Sequence, residues 1–415
     1  MKNLGIYIHI PFCVKKCDYC DFISYCDKNN LIEEYIEKLK EEITNNLDNK
    51  EYTVKTIYIG GGTPSSIDSK YIVDILNIIK EKYDLENTEV TIEVNPGTVT
   101  ETKLLDYKKV GINRLSIGLQ ETNNDLLKAI GRIHTYEQFL ETYKLARKVG
   151  FNNINVDLMI GLPGQSIENI KQSLNKIIEL NPEHISVYSL ILEEGTKLYK
   201  KYEEKQIELP DEELERNMYW YVKNTLENAG YNHYEISNFA REGYESKHNS
   251  NCWNQEEYIG IGAASHSYIN GIRYSNTGEL EKYIAGVYRM NQVKSEELKI
   301  QHATYLDLGA NSVRNTQKEY RNTPNHININ KEYQTIHEIQ TKEDMQKEYM
   351  LLGLRKIDGV SIQKFKNKFG QNPIFIFKNE LSKLVEEDML IIDGDNIKLT
   401  SNGLDLANLV WEEFV

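Results

Sequence analysis

The run YIHIPFCVKKCDYCDF, Tyr7 to Phe22, holds three of the chain's five cysteines: Cys13, Cys17 and Cys20. It overlaps an apolar, β-branched stretch, LGIYIHI from Leu4 to Ile10, so the cysteines sit on the loop leaving a first strand. From there to about Leu192 one phrase repeats: apolar strand, turn, amphipathic helix. Further strands are expected at Thr56–Gly60, Val90–Val94, Arg114–Leu119, Ile154–Ile160 and Ile185–Leu192, each stopped by Gly, Pro or Asn. Helices such as Leu31–Ile43 and Ile167–Leu180 fall between them. Near-continuous apolar strands alternating with helices imply an α/β fold, a parallel sheet covered by helices. Six units are too few for a closed eight-unit barrel, which leaves an open, partial (β/α)6 barrel or a doubly wound sheet. In both, ligands gather at the C-terminal ends of the strands, where the cysteine loop lies.

Composition narrows the function. The chain carries 49 Lys+Arg against 63 Asp+Glu, a net charge of -14, which repels nucleic-acid backbones. No run approaches the roughly 20 apolar residues of a membrane span, and residues 1–10 hold no signal-peptide hydrophobic region. A cytoplasmic chain without an integral membrane segment is expected, its clustered thiols serving as ligands rather than disulfides. At 415 residues it should form several domains. Residues 1–195 are expected to form the barrel and 196–292 an extension containing a helix near Glu212–Asn228. A polar linker or insertion is expected over 293–340. From 341 to 415 the order of helices and a short hairpin around Gly394 suggests a winged-helix-like α+β domain. That domain has 10 Lys+Arg against 13 Asp+Glu, so it lacks the basic face of a DNA reader and a structural or partner-docking role is expected.

Three close thiolates have few uses. Lys15 and Lys16 beside them should favour the thiolate form. A structural zinc ion would want a fourth ligand, which Cys26 or His9 could supply. A 4Fe–4S cluster normally takes four cysteines, so three would leave one iron open to a small molecule.

C-x3-C-x2-C after the first strand of a partial αβ barrel resembles the signature of the radical S-adenosylmethionine (SAM) superfamily. The resemblance implies a 4Fe–4S cluster on Cys13, Cys17 and Cys20 whose open iron chelates the methionine end of SAM; reductive cleavage of the sulfonium yields a 5′-deoxyadenosyl radical. It extends to GGGTPS (Gly60–Ser65), IEVNPG around Glu93, LSIGLQ ending at Gln120, AIGR ending at Arg132, and NVDLMIGLPGQ with Asp157. Tyr7, Tyr19, Gly61 and Glu93 match positions around the cluster-bound SAM. Gly62, Thr63, Gln120, Arg132 and Asp157 match positions that surround a second SAM in one branch of the superfamily, that of oxygen-independent coproporphyrinogen III oxidase.

That branch, with its HemW-type haem-chaperone relatives, is the one the whole chain resembles, through YEISNFA, GIGAASHSYING and LLGLRKIDGVS as well. Two features resemble the chaperones: only six residues precede Tyr7, and Cys20-Asp21-Phe22 lacks the oxidase's further cysteine. HNSNCW is similar to the chaperones' haem-binding H-N-x-x-Y-W, matching at His248, Asn249 and Trp253, with Cys252 in place of the tyrosine. His and Cys are both haem-iron ligands elsewhere, and Trp offers a flat apolar face. The resemblance implies a protein that carries haem to haem-accepting proteins and needs an electron donor for its cluster. The alternative is the oxidase itself, which converts propionate side chains to vinyl groups.

Overall fold

A computed structural model describes residues 1–47, 51–290 and 333–415. Six strands pair in chain order and all in parallel: β1 Lys2–Ile10, β2 Tyr52–Gly61, β3 Glu89–Val94, β4 Arg114–Gln120, β5 Ile154–Ile160 and β6 His184–Ser189. One face of each is apolar: Ile6 and Ile8, Ile57 and Ile59, and Leu115 and Ile117 are fully buried under helices. The other face is polar and turns into the barrel, carrying Tyr7, Tyr58, Glu93, Ser116 and Asp157. The helices commit their apolar stripes to the outer face. Ile167–Leu180 buries Ile170, Leu174 and Ile177, worth about 2 kcal/mol each, and is started by a Ser166/Asn169 capping box. The sixth strand stops at Ser189, short of the expected Leu192. Beyond it, Leu190 and Leu192 turn to pack with Ile130 and Leu198 beside the cysteine loop.

The sheet runs past the six expected units. On one edge β6 pairs with an antiparallel hairpin, β7 Asn232–Glu235 and β8 Asn238–Ala240. On the other, β9 Tyr258–Ile261 pairs parallel to β1 and is followed by β10 His266–Ile269, β11 Ile272–Asn276 and β12 Gln334–Ile339, giving 12 strands among the described residues. The last strand corrects the expected 293–340 linker: Gln334–Ile339 reads as polar because it is an edge strand, with one side open. Residues 293–332 of that expectation lie outside the described residues.

The C-terminal unit begins with helix Lys342–Gly353 and β13 Val360–Ser361. Helices Ile362–Phe369, Pro373–Ile376 and Lys378–Glu386 follow, then the hairpin β14 Leu390–Asp393 and β15 Asn396–Leu399. Its three-stranded sheet, β13-β15-β14, has winged-helix order, over its own core of Met350, Leu354, Phe365, Leu381 and Val410. Backbone bonds Ile236 N–H to Arg355 O and Ile357 N–H to Tyr234 O, both 3.1 Å, stitch it to the β7–β8 hairpin.

Candidate functional site

The cysteine loop is held from three directions. Cys13 N–H donates to Tyr25 O (3.0 Å), Asp18 N–H to Ile130 O (3.0 Å), and the Asp18 carboxylate meets Lys201 Nζ at 2.6 Å. The third hold comes from Gly60-Gly61-Gly62: Gly62 N–H donates to Ile10 O (2.9 Å) and Thr63 N–H to Phe12 O (2.8 Å). Glycine is required there. A Cβ on Gly62 would stand 2.8 Å from Phe12 O and 2.9 Å from Phe12 N, and Gly61 has φ +113° with the His9 ring 2.5 Å from where a Cβ would be.

Cys13, Cys17 and Cys20 line one cavity of about 420 Å³ with Tyr7, Tyr19, Gly61, Gly62, Thr63, Glu93, Gln120, Arg132 and Asp157. Every residue expected around SAM is thus brought together at the C-terminal mouth of the barrel. Thr63 Oγ1 lies 3.5 Å from Cys13 Sγ, and Arg132 Nη1 donates to Cys17 Sγ at 3.4 Å. Arg132 is fixed by Asn95 Oδ1 (2.8 Å) and Gly118 O (2.6 Å), while its buried Nε has no partner. Gln120 reaches the cavity because a register shift after Gly118 puts it at φ +75°. Burial pushes the Cys13 thiol up and that of Cys20 to about 11, with Lys16 acting the other way on Cys20 as expected, so metal binding at these two must displace protons.

His9, one candidate fourth ligand, spends both ring nitrogens, on Tyr7 Oη (2.9 Å) and Ile23 O (3.0 Å). Among the described residues no three His, Cys, Asp or Glu side chains converge as a single ion would need. Three cysteines around a wider cavity with a glycine-walled approach fit a cluster.

Two carboxylates face this cavity. Glu93 accepts from Tyr58 Oη (3.0 Å) and Gly61 N–H (3.2 Å), and burial beside Asp157 raises it from 4.5 to about 7. Asp157 accepts from Asn155 Nδ2 (2.7 Å) and Ser116 Oγ (3.3 Å), and burial raises it too. Such a pair suits a cationic ligand, whose charge would hold both ionised.

Residues 7–177 match the family described as Radical SAM superfamily, and residues 340–406 the HemN C-terminal domain. A protein named Heme chaperone HemW from Lactococcus lactis subsp. lactis (strain IL1403) is 36% identical over 415 residues, spanning 100% of this chain and 98% of its own length. The Bacillus subtilis (strain 168) protein of that name is 37% identical over 414 residues, 99% and 98% of the two chains. The chain belongs to the HemW family of radical SAM proteins. A solved structure of coproporphyrinogen III oxidase (HemN) from Escherichia coli has TM-score 0.77 at 20% identity, over 100% of this chain and 90% of that one, which speaks for a common fold.

In this HemW-family chain the HNSNCW segment is a helix, Lys247–Trp253, closing the barrel floor rather than an open loop. Lys247 N–H and His248 N–H donate to the Glu89 carboxylate at 3.2 and 3.1 Å. The buried His248 ring sits 2.9 Å from Thr56 Oγ1 and stacks on Tyr58 at 5.2 Å between centroids. Burial and the Arg114 charge lower it to about 4. Cys252 is desolvated, its thiol pushed up to about 11. Trp253 lies 4.5 Å beneath the Arg355 guanidinium, and Asn249 N–H donates to Ser246 Oγ at 3.4 Å. None of the four lines the cysteine cavity.

Sequence reading missed Tyr58, Asn95, Ser116 and Tyr188, all of which line that cavity. Counting back by two from the recognised positions, Tyr58 from Gly60 and Ser116 from Gly118, would have found two of them. Among the described residues no helix is long and apolar enough to cross a membrane.

Proposed function

We propose that this HemW-family chain is a cytoplasmic haem chaperone, binding haem and passing it to an acceptor haem protein, with a 4Fe–4S cluster on Cys13, Cys17 and Cys20 and SAM in the adjoining cavity. When bound, the cluster supplies an electron to the sulfonium, and an electron donor replenishes it. The chain's own residues do the positioning. Gly61 and Gly62 bring backbone close to the ligand, Glu93 and Asp157 face its positive charge, and Arg132 and Thr63 hold the sulfurs of Cys17 and Cys13. Gly62, Thr63, Gln120, Arg132 and Asp157 share one cavity with the Glu93 side, so a second SAM would have to fit the same chamber.

The observation that carries the haem reading is likeness to proteins named Heme chaperone HemW along the whole chain, not over the barrel alone. Haem contact through His248 requires its buried ring to leave Thr56 and Tyr58, whereas Asn249, Cys252 and Trp253 on the same helix are half-buried. The test pairs two assays on the anaerobically purified protein. Haemin should give a saturable Soret change, and reductant, SAM and coproporphyrinogen III should yield no protoporphyrinogen. Protoporphyrinogen without haem binding would replace this reading with the oxidase. An unchanged haemin titration in His248→Ala would remove that helix from the haem site.

A further inference from the structure

Asp157 stands at one end of a chain of hydrogen bonds that runs from the cysteine cavity to the helix carrying His248. Asn155 lies two residues before Asp157 on β5 and faces the barrel interior with it, and the register of β5 with β6 sets His184 opposite Asn155. Asn155 Nδ2 donates to Asp157 Oδ1 (2.7 Å) and Ser116 Oγ (2.8 Å). His184 Nδ1 lies 2.6 Å from Asn155 Oδ1, and His184 Nε2 lies 2.7 Å from Tyr234 Oη on β7. Tyr234 Oη in turn accepts from Ser246 N–H at 3.1 Å. Ser246 is the N-cap of the Lys247–Trp253 helix, its Oγ accepting from Asn249 N–H. Asn155, His184 and Ser246 are buried, His184 completely.

The chain has one direction. Asn155 turns its Nδ2 to Asp157 and Ser116, so its Oδ1 faces His184, and an amide oxygen only accepts. His184 Nδ1 therefore carries the proton. Burial, reinforced by the Arg114 charge, holds this imidazole well below its ordinary pKa, so it is neutral and its Nε2 accepts from the Tyr234 hydroxyl. Each group donates toward Asp157 and accepts from the side of the helix, and hydrogen bonds aligned in this way strengthen one another. Interiors of parallel barrels are ordinarily filled by branched apolar side chains. A fully paired imidazole at this depth is a departure that packing alone does not call for.

We propose that His184 is a positioning residue shared by two sites: through Asn155 it aims the Asp157 carboxylate into the cysteine cavity, and through Tyr234 it anchors the N-cap of the helix that carries His248. The first arm rests on the reading that SAM occupies that cavity, and adds a residue outside the cavity on which SAM affinity depends.

The test uses the full-length, cluster-bearing protein and three substitutions. His184→Ala loses both arms. His184→Asn can set its Nδ2 where Nδ1 was and keeps only the Asn155 arm, and His184→Gln can set its Oε1 where Nε2 was and keeps only the Tyr234 arm. One readout is the SAM concentration that half-completes the change in the electron paramagnetic resonance of the reduced cluster. The other is amide hydrogen exchange in the Lys247–Trp253 helix. Loss of an arm should cost about fivefold on its own readout, the worth of one hydrogen bond. SAM affinity should thus fall in the Ala and Gln variants and be kept in the Asn variant, while exchange should quicken in the Ala and Asn variants and stay slow in the Gln variant. Iron content should match wild type in all three. A ring that only fills space would move both readouts together in every variant; that result, or no change in either readout, would overturn the proposal and leave SAM in its cavity. Should a variant fail to fold by circular dichroism, Asn155→Ala and Tyr234→Phe, which cut one arm each, are read in its place. A wild-type spectrum that SAM does not change would overturn the SAM reading, and the proposal with it.

Discussion

Replacing Gly62 by alanine tests how the glycine run builds the site. Its backbone is not left-handed, so the effect is purely steric: the new Cβ meets Phe12 O at 2.8 Å, Phe12 N at 2.9 Å and Ile10 O at 3.0 Å, all main chain. Neither strand can yield by rotating a side chain. The lowest-cost response is to part the cysteine loop from the glycine run, breaking Gly62 N–H to Ile10 O and Thr63 N–H to Phe12 O. Two such bonds are worth about 1 kcal/mol each and the overpacking about 1–3 kcal/mol, so the local cost is about 3–5 kcal/mol. Because the outer apolar faces and their helices are untouched, the barrel should stay folded while Cys13 moves. Iron and sulfide per chain after anaerobic reconstitution should fall severalfold, with an unchanged far-ultraviolet circular dichroism spectrum. Gly278→Ala is the matched control: beside the same loop, its Cβ would meet the Ile23 side chain at ordinary contact distances of 3.6 to 3.8 Å, and iron content should be normal. Wild-type iron content and an unaltered unfolding midpoint in Gly62→Ala would refute the argument.

Two further outcomes follow from buried charge. Glu93 is raised from 4.5 to about 7, so the folded state holds its proton more tightly than the unfolded one, and stability falls as pH rises between those values. The full cost above that window is about 3 kcal/mol. Glu93→Gln removes it, since its amide can accept from Gly61 N–H and donate to Tyr58 Oη, so without SAM the variant should gain about 3 kcal/mol at pH 8 and nothing at pH 4. Urea unfolding at the two pH values checks this, and a loss at pH 8 would contradict it; SAM affinity should fall in the same variant. Arg355 lies over Trp253 at 4.5 Å and Trp411 at 5.0 Å, so Arg355→Ala removes about 1 kcal/mol from each contact. Hydrogen exchange should then rise at the Ala407–Glu412 helix, which carries Trp411, and at the Lys247–Trp253 helix together, and a rise at only one would show that the two tryptophans do not couple them.

The parallel barrel was legible because its strands are bounded by glycine and proline and its helices by caps, as at Ile167–Leu180, whose limits the apolar period marks to the residue. The cysteine cavity was legible because chemistry and backbone freedom restrict it to Cys, Gly and a few polar types at strand ends. The floor was not. His248 reads as a loop residue because a seven-residue helix leaves too short a period to detect, and its burial depends on Thr56, Tyr58 and Glu89, distant in sequence. Edge strand Gln334–Ile339 was hidden similarly, since one-sided pairing leaves a polar sequence.

The central claim is that three cysteines leave one iron for a sulfonium ligand, and electron paramagnetic resonance of the dithionite-reduced protein tests it most directly. Adding SAM should shift the g-values of the reduced cluster in wild type and much less in Glu93→Gln. A spectrum that SAM leaves unmoved in the wild-type protein would contradict the account.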